Sequence, residues 1–134
     1  MSPILLTHVP KTAGTSMRKT VFDPHVPASE RHRFTGIRNA LSSKASFLFL
    51  SGHYPYGVHR LYGIDHPRYF VMLREPVDRA ISYYFFVKAC SGGSTYTHPQ
   101  FGNVKSSDLS GLYRNPRFQN MQTRFVAGLG WKYV

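Results

Sequence analysis

Three predicted strands, at residues 4–8, 46–51 and 69–73, each contain a short apolar run and organise the chain. Residues 46–51 show no alternation of apolar with polar positions, which is typical of a strand buried on both faces by covering helices. Stretches with helical spacing separate the runs or follow them. Strands that alternate with helices predict an α/β fold with a mainly parallel sheet.

One helix is expected to be long and largely buried. Pro76 suits the first turn of a helix, where its missing N–H costs nothing. Helical spacing then recurs at Val77, Ala80, Ile81, Tyr84 and Phe85. The helix should end near Ser91. Other helical segments are expected at residues 16–22, 33–43, 58–62 and 118–127, the last capped by Gly128, with loops at residues 23–33, 52–57 and 91–107.

The small-residue segment His8–Ser16 links the first predicted strand to the first predicted helix. Such a link can cradle a phosphate, because its N–H groups and those of the helix start converge. Gly14 lets the backbone approach an anion, Lys11 adds a positive charge, and Thr15 adds a hydroxyl. A nucleotide-kinase loop has its lysine directly after the last glycine, so a kinase is disfavoured. The alternative is an ordinary strand-to-helix turn with a solvated lysine.

A second motif, Arg74–Arg79 followed by Ser82, comes directly after the third predicted strand. This segment resembles the 3′-phosphate-binding motif of sulfotransferases, and residues 8–16 resemble their 5′-phosphosulfate-binding loop. The similarity is closest to the carbohydrate branch related to heparan sulfate 2-O-sulfotransferase. It extends from residue 4 to about residue 128.

The resemblance implies a P-loop-like, three-layer α/β fold with a mainly parallel sheet, forming a single sulfotransferase-like domain over residues 1–134. Family domains are longer, so the chain is expected to be truncated at the C-terminus and to match the N-terminal part of such a domain. The implied cofactor is PAPS (3′-phosphoadenosine 5′-phosphosulfate), without a metal. The implied cofactor-binding residues are Lys11, Thr12, Ala13, Gly14, Thr15, Ser16, Arg74 and Ser82.

His53 is the candidate general base among the seven histidines of the chain. It follows the second predicted strand, and histidine suits proton transfer near neutral pH. The pair Gly52-His53 resembles the catalytic Gly-His segment of the 2-O-sulfotransferase group, which has a further histidine where this chain has Ser51. The resemblance implies sulfuryl transfer to a carbohydrate hydroxyl, with Lys11 stabilising charge on the leaving phosphate. His8 adjoins the loop and could support it.

Several of these side chains also have ordinary structural explanations. Arg74 could form an ion pair with a neighbouring carboxylate, and Ser82 could be a packing residue of its helix. Arg79 could reach an anion or form a salt bridge. Arg124 could face the cofactor or the acceptor, or lie on the surface of the last helix.

The charge balance favours an anionic partner. Seventeen Lys and Arg residues against six Asp and Glu give a net charge of +11. The alternative function is therefore a non-catalytic basic module that binds an anionic nucleotide, a glycan or nucleic acid. Nucleic acid is disfavoured because no aromatic RNA-binding segment is present. The net charge does not predict an oligomeric state.

The remaining composition excludes several protein classes. Cys90 is the single cysteine, so an intrachain disulfide is excluded, and it is expected to be a buried apolar residue. No Cys/His spacing resembles a zinc site. No apolar run approaches membrane-span length, and no signal peptide is visible. The expected compartment is the cytoplasm for a bacterial protein, or the Golgi lumen for a fragment of a eukaryotic membrane-anchored enzyme.

Overall fold

Four strands of the described residues form an all-parallel sheet. The computed structural model describes residues 2–43, 46–91, 95–98, 102–105 and 108–128. The strands of this sheet are β1 (Ile4–Thr7), β2 (Arg31–Arg33), β3 (Phe49–Gly52) and β4 (Arg68–Val71), in the order β2-β3-β1-β4. Helices and strands together make a mixed arrangement that is compatible with the predicted α/β class, and the parallel sheet is confirmed.

The helical segments lie between and after these strands. They are α1 (Gly14–Met17), a π-helical turn (Arg18–Phe22), a 3₁₀ turn (Ala28–Glu30), α2 (Ile37–Ser42), a 3₁₀ turn (Val58–Tyr62), α3 (Pro76–Ser91), α4 (Leu109–Arg114), a 3₁₀ turn (Pro116–Phe118) and α5 (Met121–Ala127). Strands β5 (Thr95–His98) and β6 (Gly102–Lys105) pair antiparallel after α3. None of the helices in the described ranges is long and apolar enough to cross a membrane.

The chain folds into two compact units. The first contains the described residues up to Leu73 together with those from Gln122 onward, and the second contains Arg74 to Met121. The parallel sheet lies in the first unit, and α3 lies in the second. The single domain expected over residues 1–134 stays a prediction.

The two central strands of the first unit are buried on both faces. Leu5 of β1 pairs with Leu50 of β3, and both belong to a core cluster with Tyr54 and Val58. On the opposite face, Leu6 packs with Phe22 and Phe49 in a second cluster. Alternate residues of a strand point to opposite faces, so this division accounts for the unbroken apolar runs of β1 and β3.

The prediction of a buried third strand is wrong in its burial. The strand occurs as β4, but Phe70 is 47% exposed and Val71 is 39% exposed. Strand β4 is an edge strand of the sheet, and position within a sheet is not encoded in a single apolar run. The prediction of a loop over residues 23–33 is also wrong at its end, where β2 pairs in parallel with β3.

The prediction that α3 is largely buried holds for only part of its surface. Val77 and Phe85 are 61% and 59% exposed, whereas Tyr83 and Val87 are fully buried. The Tyr83 ring lies 5.8 Å from that of Phe118. Apolar residues lie on several sides of this helix, and only some of these sides are buried.

Three further predictions for residues 90–128 also change. Cys90 is exposed rather than buried. Residues 91–107, expected to be a polar loop, contain β5 and β6. The last helix begins at Met121 rather than at Phe118, and Gly128, with a φ of 92°, follows its end as predicted.

Candidate functional site

The segment between β1 and α1 is a strained loop at the carboxyl end of β1. Lys11 and Ala13 both have left-handed backbone conformations, with φ of 67° and 62°. Such a conformation costs a residue with a Cβ atom about 1–2 kcal/mol, and it concentrates at binding and catalytic sites. The Thr12 hydroxyl donates a buried hydrogen bond of 2.9 Å to the Val9 carbonyl and so closes the loop.

His8 and His53 meet beside this loop because of the pairing between β1 and β3. Thr7 is the register partner of Gly52, so the next residue of each strand falls at the same edge of the sheet. The His8 N–H donates to the Gly52 carbonyl at 2.8 Å. The two imidazole rings stack with centroids 4.6 Å apart and planes inclined by 28°.

A hydrogen bond fixes the tautomer of His53. Its Nδ1 lies 2.6 Å from the His8 carbonyl oxygen. A carbonyl oxygen can only accept, so Nδ1 carries the proton in this contact. In the neutral ring the lone pair then belongs to Nε2, the nitrogen that could take a proton from a substrate.

Burial and neighbouring positive charge keep both imidazoles neutral. Burial, helped by His53, Arg18 and Arg33, lowers the pKa of His8 from 6.5 to about 4. Burial also lowers the pKa of His53, and Arg33 acts in the same direction, while the hydrogen bond to His8 opposes them. A neutral imidazole with a lowered pKa can accept a proton at neutral pH.

The lowered pKa of His8 predicts an acid-dependent loss of stability. Its folded pKa of about 4 lies below the unfolded value of 6.5, so between these values the unfolded chain binds more protons. Stability should therefore fall as the pH drops from 6.5 to 4, with no contribution from this group above 6.5. For a half-buried ring the loss is on the order of 1–2 kcal/mol after allowing for solvent screening. Urea unfolding of wild type and His8→Phe at several pH values measures it, and equal pH slopes would contradict it.

Gly14 is required by packing as well as by any ligand. A Cβ atom at this position would lie 2.2 Å from His8 Cδ2, closer than any real contact. The His8 ring therefore lies directly against the backbone at the start of α1. From the sequence, Gly14 is predicted to let the backbone approach an anion closely. In the structure, the absence of a side chain at Gly14 also makes room for the His8 ring.

The other loop residues differ in their solvent exposure and in the groups they could offer a ligand. Lys11 is partly exposed, while Ala13, Thr15 and Ser16 are exposed. Thr12 is 3% exposed, and its hydroxyl proton is used within the loop, so it is the main-chain N–H of Thr12 that could serve a ligand. Helix α1 has only four residues, so the loop rather than a helix dipole would hold an anion.

The second predicted motif lies in the second unit, at the start of α3. Arg74 is exposed, and Ser82 is partly buried on the helix. A carboxylate oxygen of Glu75 accepts a 2.7 Å hydrogen bond from the Asp78 N–H, and such bonds hold the pKa of Glu75 below its usual value. Glu75 therefore caps the helix.

Arg79 lies in the core of the second unit, with 4% of its surface exposed. Its guanidinium contacts Met121 Sδ at 3.4 Å and hydrogen-bonds the side chain of Tyr113. The sequence leaves two roles open for Arg79, an anion contact and a salt bridge, and among the described residues no carboxylate forms a salt bridge with it. Arg124, the other arginine whose role was open, is partly buried on α5.

Sequence reasoning missed two arginines at the histidine pair. Arg33 ends β2, next to β3, and Arg18 begins the π-helical turn. Both act electrostatically on His8. Arg18 also forms a 2.7 Å ion pair with Asp23. Recognition of β2 as a strand would have placed Arg33 at this edge.

Comparisons with protein-family models, with curated proteins and with solved structures gave no match to this chain. Within the described ranges, no group of three or more His, Cys, Asp or Glu side chains is arranged to hold a metal ion. The predicted roles of the site residues therefore stay predictions, argued from geometry and from the resemblance.

Proposed function

We propose that this protein is a PAPS-dependent sulfotransferase with a P-loop-like α/β fold, acting on a hydroxyl of a carbohydrate-type acceptor. The observation that carries the proposal is the contact between His53 and the segment that resembles a 5′-phosphosulfate loop. A neutral histidine with its lone pair on Nε2 is held beside a strained, lysine-bearing loop. The carbohydrate acceptor rests on the resemblance of the motifs.

The residues of the loop fit the 5′ end of such a cofactor. Main-chain N–H groups of residues 11–16 and the Lys11 ammonium would hold its phosphate, and Arg33 and Arg18 make the surroundings positive. The resemblance of residues 74–82 to a 3′-phosphate-binding motif supports Arg74, with its planar fork, and the Ser82 hydroxyl as ligands of a 3′-phosphate. PAPS, when bound, supplies the sulfuryl group and the phosphate that leaves.

The protein then contributes a proton acceptor and a fixed positive charge. Nε2 of His53 takes the proton of the acceptor hydroxyl as that oxygen attacks sulfur. Lys11 stabilises the negative charge that grows on the leaving phosphate oxygen. Positioning and charge stabilisation dominate, because a sulfuryl transfer, like a phosphoryl transfer, asks little covalent chemistry of the protein.

Calorimetric titration with 3′-phosphoadenosine 5′-phosphate, AMP and ATP at moderate salt tests the proposal. We expect the 3′,5′-bisphosphate to bind about 10- to 100-fold more tightly than AMP, since charge-assisted hydrogen bonds to a phosphate contribute about 1.5–3 kcal/mol. Arg74→Ala should remove this preference, whereas Arg114→Ala, a change at another exposed arginine of the second unit, should preserve it. Equal affinity for the bisphosphate and AMP would contradict the proposal.

The net charge of +11 supports a second candidate, a non-catalytic module that binds polyanions. Its binding should weaken steeply as salt is raised, because it depends on counterion release. Binding of heparin and of a DNA duplex at 50 and 200 mM salt, without any preference for a 3′-phosphate, would favour this candidate.

A further inference from the structure

We infer that His8 is a positioning residue for His53, whose ring plane and tautomer it fixes through both its main-chain carbonyl and its own imidazole ring. This inference rests on the proposed function, since it assigns His8 a part in the same site. It goes beyond that function by linking the proposed base mechanically to the loop that would hold the cofactor.

Two separate contacts restrain His53. The carbonyl oxygen of His8, 2.6 Å from Nδ1, selects the protonated nitrogen. The ring of His8, stacked at 4.6 Å, opposes rotation of the His53 ring out of that hydrogen bond. A hydrogen bond alone would let the ring tilt about it, and a stack alone would not distinguish the two nitrogens.

His8 is itself fixed on two sides. Its N–H is bound to the Gly52 carbonyl at 2.8 Å, which ties its backbone to β3. Its ring lies against Gly14, where even one added methyl group would collide with it. The His8 ring therefore adjoins both the backbone at the start of α1 and the His53 ring, so a shift of the loop at Gly14 would move the ring that stacks on His53.

The charged groups around the pair favour the neutral state that this arrangement needs. Arg33 acts on both rings and Arg18 acts on His8, and each of these charges disfavours an imidazolium. A neutral His8 ring stacks on His53 without charge repulsion.

Nitrogen NMR of the imidazole rings tests the inference directly. In the ¹³C,¹⁵N-labelled full chain at pH 8, with His53 signals assigned from their absence in His53→Gln, we expect protonated Nδ1 and unprotonated Nε2. His8→Phe keeps both carbonyl and stack and should preserve this tautomer. His8→Ala keeps the carbonyl but removes the ring, and Gly14→Ala displaces the ring, so each should give a mixture of tautomers.

Two results would overturn the inference: a wild-type His53 protonated on Nε2, or an unchanged Nδ1–H tautomer in folded His8→Ala and Gly14→Ala. Far-UV circular dichroism establishes folding. If neither variant folds, the scalar coupling between His53 Nδ1 and the His8 carbonyl carbon in the wild type decides, since its presence supports the contact and its absence refutes it.

The rate of turnover is a second test, because a purely structural role of His8 would not predict a change in kcat at constant KM. His8→Ala should lower kcat for sulfuryl transfer about 10- to 100-fold, as expected for a misaligned reacting group, with KM for PAPS little changed. His8→Phe should restore most of the rate, and loss of rate in both variants would oppose a role for the stack. The NMR result needs no cofactor, so the inference and the sulfotransferase proposal can fail separately.

Discussion

Replacing His53 with glutamine is expected to lower kcat for sulfuryl transfer about 10²- to 10⁴-fold, the usual contribution of a positioned general base. Glutamine keeps an amide N–H that can donate to the His8 carbonyl, so the main hydrogen bond of the site can be retained. What the variant loses is the basic nitrogen. The hydroxyl of the acceptor then has to lose its proton to water.

Comparing kcat with the affinity for the nucleotide distinguishes a general base from a residue that only binds the cofactor. Affinity for 3′-phosphoadenosine 5′-phosphate, measured by calorimetry, should change less than about threefold, since glutamine removes no positive charge from a neutral ring. His66→Gln, at an exposed histidine of the same unit, controls for loss of any imidazole and should leave kcat unchanged. Retention of the full rate by His53→Gln would refute the assignment of the general base.

The placement of His53 at the rim of the sheet could be predicted, but its contact with His8 could not. Both residues follow apolar strands, and the carboxyl ends of parallel strands share one edge. The contact itself depends on β1 and β3 being direct neighbours in a register that pairs Thr7 with Gly52. The sequence contains no local signal for this neighbour relation, because residues 8 and 53 are far apart along the chain.

Exposure was predicted least well where apolar residues are abundant. In β1 and β3 the apolar runs do mark buried strands, because these strands are central in the sheet. The same kind of run in β4 lies at the edge, and α3 has apolar residues on more than one side. Hydrophobicity identifies elements that can be buried, whereas tertiary packing decides which of their faces are.

The backbone strain of the loop at residues 11–13 could not be predicted from the sequence either. Glycine is the usual marker of a left-handed residue, but here Lys11 and Ala13 adopt that conformation while Gly14 begins a helix. The loop is held by the Thr12 hydrogen bond and by its attachment to β1. The position of Lys11 is therefore determined by tertiary structure and not by local preference.

Lys11→Ala is expected to reduce kcat about 10²- to 10³-fold, the loss typical when one group that stabilises transition-state charge is removed. Alanine meets nearly the same backbone cost as lysine at a φ of 67°, so the loop conformation should persist. The charge on the leaving phosphate is larger in the transition state than in bound PAPS. We therefore expect the loss mainly in kcat, with a smaller rise in KM.

Lys19→Ala provides the matched control, because it removes the same charge from an exposed position on the following helical turn. Steady-state rates at saturating PAPS should be nearly normal in this variant. Equal losses in Lys11→Ala and Lys19→Ala would mean that only the general positive field of the protein matters. A loss confined to Lys11→Ala, together with an unchanged circular dichroism spectrum, would support a specific contact between Lys11 and the leaving group, and would favour the enzyme over the polyanion-binding module.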